Sequence, residues 1–210
     1  MVDITPTFTR SLLTDILVAR EHLAEHDEQP RRRNLVRASF AAIEGLVWLL
    51  RCHVLDVGNN MGEIGPTEML ALQDRGYAVG DRGKLRETAQ FLPLKTAIRL
   101  AVRLAQRIDS DLAIDFDDSG WSSLDRAIDV RHRITHPKSE TDLVVSDSDL
   151  IIVNEGFAWL LAVTKKAMHA TNHAARAFLD DSRALLTALE AKDPEALAMY
   201  NALLHRDEDD

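Results

Sequence analysis

One cysteine, Cys52, stands in 210 residues, so no internal disulfide framework exists and a reducing compartment is the expected setting. Long apolar runs are missing as well. GLVWLL at 45–50 is among the longest, and it is far too short to span a bilayer, so no membrane partner is expected. The opening residues, MVDITPTFTR, lack a charged stretch followed by an apolar one. No secretory signal is therefore expected, and the expected location is cytoplasmic. Positive charge is in deficit: 25 Lys and Arg face 34 Asp and Glu, for a net charge of −9. The acidic tail Asp207–Asp210 contributes four of those negatives. A body of this sign does not draw nucleic acid by bulk charge, so any RNA or DNA site must be a local basic patch. Two patches qualify: Arg31, Arg32, Arg33 and Arg37, and Arg131, Arg133 and Lys138.

What is present is a hydrophobic fraction of 46%, enough for a packed domain, arranged almost throughout with helical spacing. Pro6 opens a first helix with Phe8, Leu12, Leu13, Ile16, Leu17 and Leu23 on its apolar positions. Pro30 interrupts. A second helix is predicted from about 32 to 55, with Val36, Phe40, Ile43, Val47, Leu50 and Val54 spaced alternately by four and three, a bundle seam. Six of the nine glycines then fall within 58–83, which reads as loops around a short helix at 67–73. A third long helix runs from near Pro93 to Ile108. Ser119 is the expected N-cap of a fourth, which Pro137 ends at or before His136. A fifth starts at Asp147 or Asp149 and reaches about Leu189. Asp193-Pro194-Glu195 starts a short last helix. The expected fold is all-α: one domain over 1–210, an antiparallel bundle of four to five helices. It carries a glycine-rich insertion at 58–83 and a C-terminal extension over 180–210.

On a helical projection of 121–136, Trp121, Leu124, Ala127, Ile128 and Ile134 share one arc, and Arg131 falls in its middle. Arg133, Arg126 and Asp129 lie opposite; Asp125, His132 and His136 sit on one margin. An arginine inside an apolar stripe needs a partner or a polar cleft. Two explanations stand side by side: Arg131 binds an anion through its planar fork, or it pairs with Glu44 of the second helix. His136 adds to the first. At a helix C-terminus the macrodipole favours its cation while two arginines oppose it, a balance suited to moving protons. Against that, basic residues in a last turn complement the dipole without any further role.

The run Arg131-His132-Arg133-Ile134-Thr135-His136 resembles the R-x4-H motif of the HEPN superfamily (higher eukaryotes and prokaryotes nucleotide-binding domains), all-α bundles that are often RNases of toxin–antitoxin, phage-defence and RNA-processing systems. A polar residue follows the arginine, as is usual there, and the second helix resembles that family's long alanine-rich helix with an internal acid, here Glu44. The resemblance covers roughly 8–178. It departs at Lys138, where some toxin members carry tyrosine. It implies metal-independent RNA cleavage, with no cofactor. Arg131 would hold the scissile phosphate, His136 would move protons, and His132 would orient either. Arg133, Lys138 and Arg37 would contact substrate, with Glu44 and Asp125 in support. It also implies a homodimer through the motif helices, and an antitoxin or other protein partner. The alternatives are a catalytically silent HEPN-like module that binds RNA or protein, and a purely structural bundle.

Other constellations are weaker. His22/His26, His132/His136 and His169/His173 have the i,i+4 spacing of zinc pairs, and the first reads H-x-x-E-H as in inverzincin peptidases. Acidic flanks and the lack of a third ligand make it a solvated face, and no metal site is expected. Arg31–Arg33 are expected to pair with Glu28 or Asp27. Trp48, Trp121 and Trp159 are expected in the core, and Cys52 as a buried thiol.

Overall fold

The helical periodicity becomes α1 (Pro6–Glu25), α2 (Gln29–Asn60), α3 (Pro66–Leu72), α4 (Leu94–Ile108), α5 (Ser119–Thr135), α6 (Asp147–Glu190) and α7 (Pro194–Arg206) in a computed structural model of the chain that describes residues 6–206. The acidic tail lies outside the described residues. The only strands among the described residues, β1 (Arg75–Val79) and β2 (Leu85–Ala89), form one antiparallel hairpin. The fold is all-α, a helical bundle, as its spacing predicts. The chain divides into two compact units, Met1–Thr171 and Asn172–Asp210, with the boundary inside α6.

In the first unit α2 supplies the spine of the core. Val36, Ile43, Leu50 and Val54 are fully buried, joined by Ile98, Ala101 and Val102 of α4 and Leu124 and Ala127 of α5. By length and composition α2 also qualifies to cross a membrane, but 61% of its most apolar window is buried inside the bundle. α2 starts earlier than expected because Pro30 occupies its first turn, where a missing N–H costs nothing. α5 and α6 cross at Gly156, where a Cβ would lie 2.7 Å from the Leu124 Cα. Only glycine permits that approach.

The insertion departs from expectation. Residues 75–89 form a hairpin, not a loop. Gly83 N–H bonds the Gly80 carbonyl at 2.8 Å, and Gly83 has φ +70°, so Asp81-Arg82-Gly83 is a three-residue hairpin loop closed by a left-handed glycine. Its strands are nearly all exposed, so no burial pattern announced them.

The second unit contains the last part of α6 and α7. Lys192 takes a left-handed φ of +59° in the turn between them. Asp193 then caps α7, its Oδ1 accepting from the Glu195 and Ala196 amides at 3.0 Å each.

One part-buried histidine of the first unit is tied to its core. Thr171 Oγ1 donates to the Ala167 carbonyl at 2.9 Å, so it accepts from His53 Nε2 at 2.7 Å. Burial lowers the His53 pKa below 6.5, opposed weakly by Asp56. The unfolded chain therefore takes up a proton that the folded one refuses, and stability falls as pH drops below about 6.5. His53→Gln should flatten that fall in thermal-unfolding series over pH; an unchanged slope would contradict the assignment.

Candidate functional site

The last turn of α5 carries the motif. Asp118, not Ser119, caps this helix: Oδ1 accepts from the Trp121 amide at 2.8 Å, and Oδ2 from the Trp159 indole at 2.9 Å. A cap fixed at both oxygens sets the helix register, and therefore the direction in which Arg131 points. At the far end the His136 amide closes the last turn on the His132 carbonyl at 2.9 Å, Thr135 Oγ1 bonds the Arg131 carbonyl at 2.7 Å, and Pro137 prevents continuation. His132 and His136 are exposed.

Arg131 follows the apolar face of α5 as projected, but the bundle does not close over it. It emerges into a cleft of about 430 Å³ between α2, α4, α5 and the 90–93 link. Its Nη2 lies 3.0 Å from Glu44 Oε1, with a third of the arginine side chain and half of the glutamate side chain exposed. Arg131 therefore pairs with Glu44 and at the same time lines a cleft that opens to solvent. An ion pair this exposed is worth only about 0–1 kcal/mol, so its carboxylate is readily displaced.

His136 lies elsewhere. With Arg133, Lys138 and Asp142 it lines a second depression of about 440 Å³. His132 borders both hollows, the single residue they share. Within one chain, Arg131 and His136 thus open onto different sides of His132. Asp142 is held below the usual carboxylate range, first by the Lys138 amide and then by Ser139, so this depression contains a fixed negative charge.

Three expected contributors, and one expected core residue, are placed differently. Arg133 is committed to structure: it donates to Asp149 at 2.9 Å and to the carbonyls of Asp142 and Val144. Asp125 pairs with Lys95 of α4 at 2.5 Å, so its carboxylate is not engaged by a histidine. Arg37 is exposed on α2 and lines neither hollow. Trp48 is not core; at 38% exposed it forms part of the Arg131 cleft, with Phe8 against its edge. Lys138 is exposed and lines the second depression. The Arg31–Arg33 patch is a clasp. Arg32 bonds Asp27 and Asp147, and Arg33 donates to the Leu143 carbonyl at 2.8 Å, tying the start of α2 to the approach to α6. Burial pushes the Cys52 thiol pKa up, away from nucleophilic reactivity.

Comparison with protein-family models, curated proteins and solved structures gives no match. Among the described residues no cluster of His, Cys, Asp and Glu could hold a metal ion.

Sequence reasoning missed Arg51. Its side chain is only 9% exposed and lines the Arg131 cleft. Nη1 meets Asp74 at 2.8 Å and Nη2 donates to the Ala71 carbonyl at 3.2 Å. Asp74, in a left-handed conformation (φ +54°), also accepts from the Leu92 amide at 3.2 Å. That carboxylate therefore pins the link bearing Phe91 to the cleft. The available signal was Arg51 itself, within the apolar run GLVWLLRCHVL.

Proposed function

We propose that this chain is a metal-independent endoribonuclease of HEPN type that works as a homodimer. The observation that supports it is the set Arg131, His132 and His136 at one terminated helix end, all reachable from solvent. Arg131 binds a non-bridging phosphate oxygen and stabilises the charge that grows there. A histidine removes the proton of the 2′-hydroxyl. The O2′–P bond forms, the P–O5′ bond breaks, and a proton delivered to O5′ completes the leaving group. The products are a 2′,3′-cyclic phosphate and a 5′-hydroxyl. None of these roles calls on a metal. Lys138 provides a flexible cation for a neighbouring phosphate. The proposed setting is cytoplasmic defence or toxin activity held in check by an antitoxin or another protein partner.

Because Arg131 and His136 open onto different hollows, a complete site takes Arg131 from one protomer and His136 from its partner. Mixing the Arg131→Ala and His136→Ala proteins tests this. Random exchange makes half the dimers mixed, each with one intact site, so about a quarter of wild-type cleavage should return. A mixture as inactive as either variant would contradict a shared site.

The Arg131–Glu44 pair favours a second reading, a silent RNA- or protein-binding module, because the guanidinium already has an anion. In that case wild type would bind RNA without generating new ends.

A further inference from the structure

The cleft beside Arg131 has features that phosphate binding does not need. Phe91 is 81% exposed on the link before α4, and Trp48 is exposed on α2; both line the same hollow. A freely exposed phenylalanine gains nothing for folding, yet the Asp74–Leu92 hydrogen bond holds its link in place. The hollow, about 430 Å³, falls in the range of roughly 300–1,000 Å³ typical of small-ligand sites. Its charged residues form two ion pairs, Arg51 with Asp74 and Arg131 with Glu44, and His132 completes the ionisable lining. Aromatic rings that share a hollow with a partly exposed guanidinium are the combination that binds single-stranded nucleic acid, the rings stacking on a base while the cation takes the backbone.

We infer that this cleft receives one unstacked nucleobase of a single-stranded RNA, the base flanking the phosphate on Arg131. This rests on the proposed reading of Arg131 and adds a subsite for the neighbouring base, built on Phe91 and Trp48. In a duplex the base is stacked between its neighbours and cannot reach Phe91 or Trp48. A strand entering here displaces Glu44 from Arg131, exchanging one anion for another. Arg51 and Asp74 stay paired, so their part of the cleft is neutral and suits a base rather than a second phosphate.

Binding can be measured apart from cleavage. In the His136→Ala background, a short fluorescently labelled RNA and the same strand annealed to its complement are titrated at low salt. The single strand should bind more tightly. Phe91→Ala should weaken single-strand binding by about fivefold to a hundredfold, and Trp48→Ala should act in the same direction once its fold is confirmed by thermal unfolding. Tyr77→Ala, an exposed aromatic of β1 outside the cleft, should leave affinity unchanged. Equal affinity for strand and duplex, or unaltered binding by both cleft variants, overturns the inference. If wild type cleaves RNA while Phe91→Ala binds and cleaves equally well, the base site fails and the nuclease reading stands. If wild type does not cleave but single-strand binding depends on Phe91, the nuclease reading fails and the cleft stands.

Discussion

Arg131→Ala should reduce RNA cleavage by about 10²–10³-fold with the fold intact. Its guanidinium is assigned to charge that develops on the phosphate, and removing one such donor costs about this much. His136→Ala should reduce cleavage by about 10²–10⁴-fold, the usual contribution of a positioned acid or base. The stability cost of Arg131→Ala should be small, because its partner Glu44 is half exposed and regains water when the arginine is gone. Arg131→Lys separates charge from geometry. Lysine keeps the cation but loses the planar fork, so only part of the activity should return. Initial rates on a labelled single-stranded RNA, beside urea unfolding of the same preparations, check both halves. A cleavage loss that merely follows a loss of fold would contradict the assignment.

The second large effect concerns stability. Asp74→Ala should destabilise the protein by about 3 kcal/mol, at the low end of the range for breaking a buried ion pair. The low end applies because the Asp74 side chain is 26% exposed, whereas Arg51 is almost fully enclosed. Three losses coincide: the charge partner of Arg51, the acceptor for the Leu92 amide, and a residue tolerant of positive φ. Arg51 Nε is already buried without a hydrogen-bond partner, so the guanidinium has little left to compensate it. Asp74→Asn keeps an acceptor and tolerates the same backbone, so it should lose less. Urea midpoints rank the three proteins, and an alanine variant as stable as wild type would show that the pair is dispensable. Since Asp74 also holds the Phe91 link, its loss should loosen single-strand binding before the domain unfolds.

Much of this fold was legible because apolar spacing along α2, α4 and α5 reports directly which face is buried. The alternation of four and three from Val36 to Val54 could form only a helix seam, and Asp193-Pro194-Glu195 could only open a helix. The hairpin was not legible because its side chains meet solvent on both faces, which removes the two-residue alternation that marks a half-buried strand. At the site, projection put Arg131 on the core face of α5, and that is its direction. Projection has no knowledge of where neighbouring helices end, so it could not tell a sealed stripe from one that opens into a cleft. Trp48 was misassigned for the same reason. Arg133 looked like a free cation because its partners, the carbonyls of 142 and 144 and Asp149, lie beyond a chain reversal. Asp74 lies 23 residues from Arg51, and nothing in the intervening spacing announces their pairing.

The proposed function stands or falls on whether His136 takes part in cutting RNA without a metal. Purified wild type and the His136→Ala protein are incubated with labelled RNA in EDTA, and the new ends are mapped. Wild type alone should cleave, leaving 2′,3′-cyclic phosphate and 5′-hydroxyl ends. Equal fragment patterns from both proteins, or cleavage that EDTA abolishes, would contradict it.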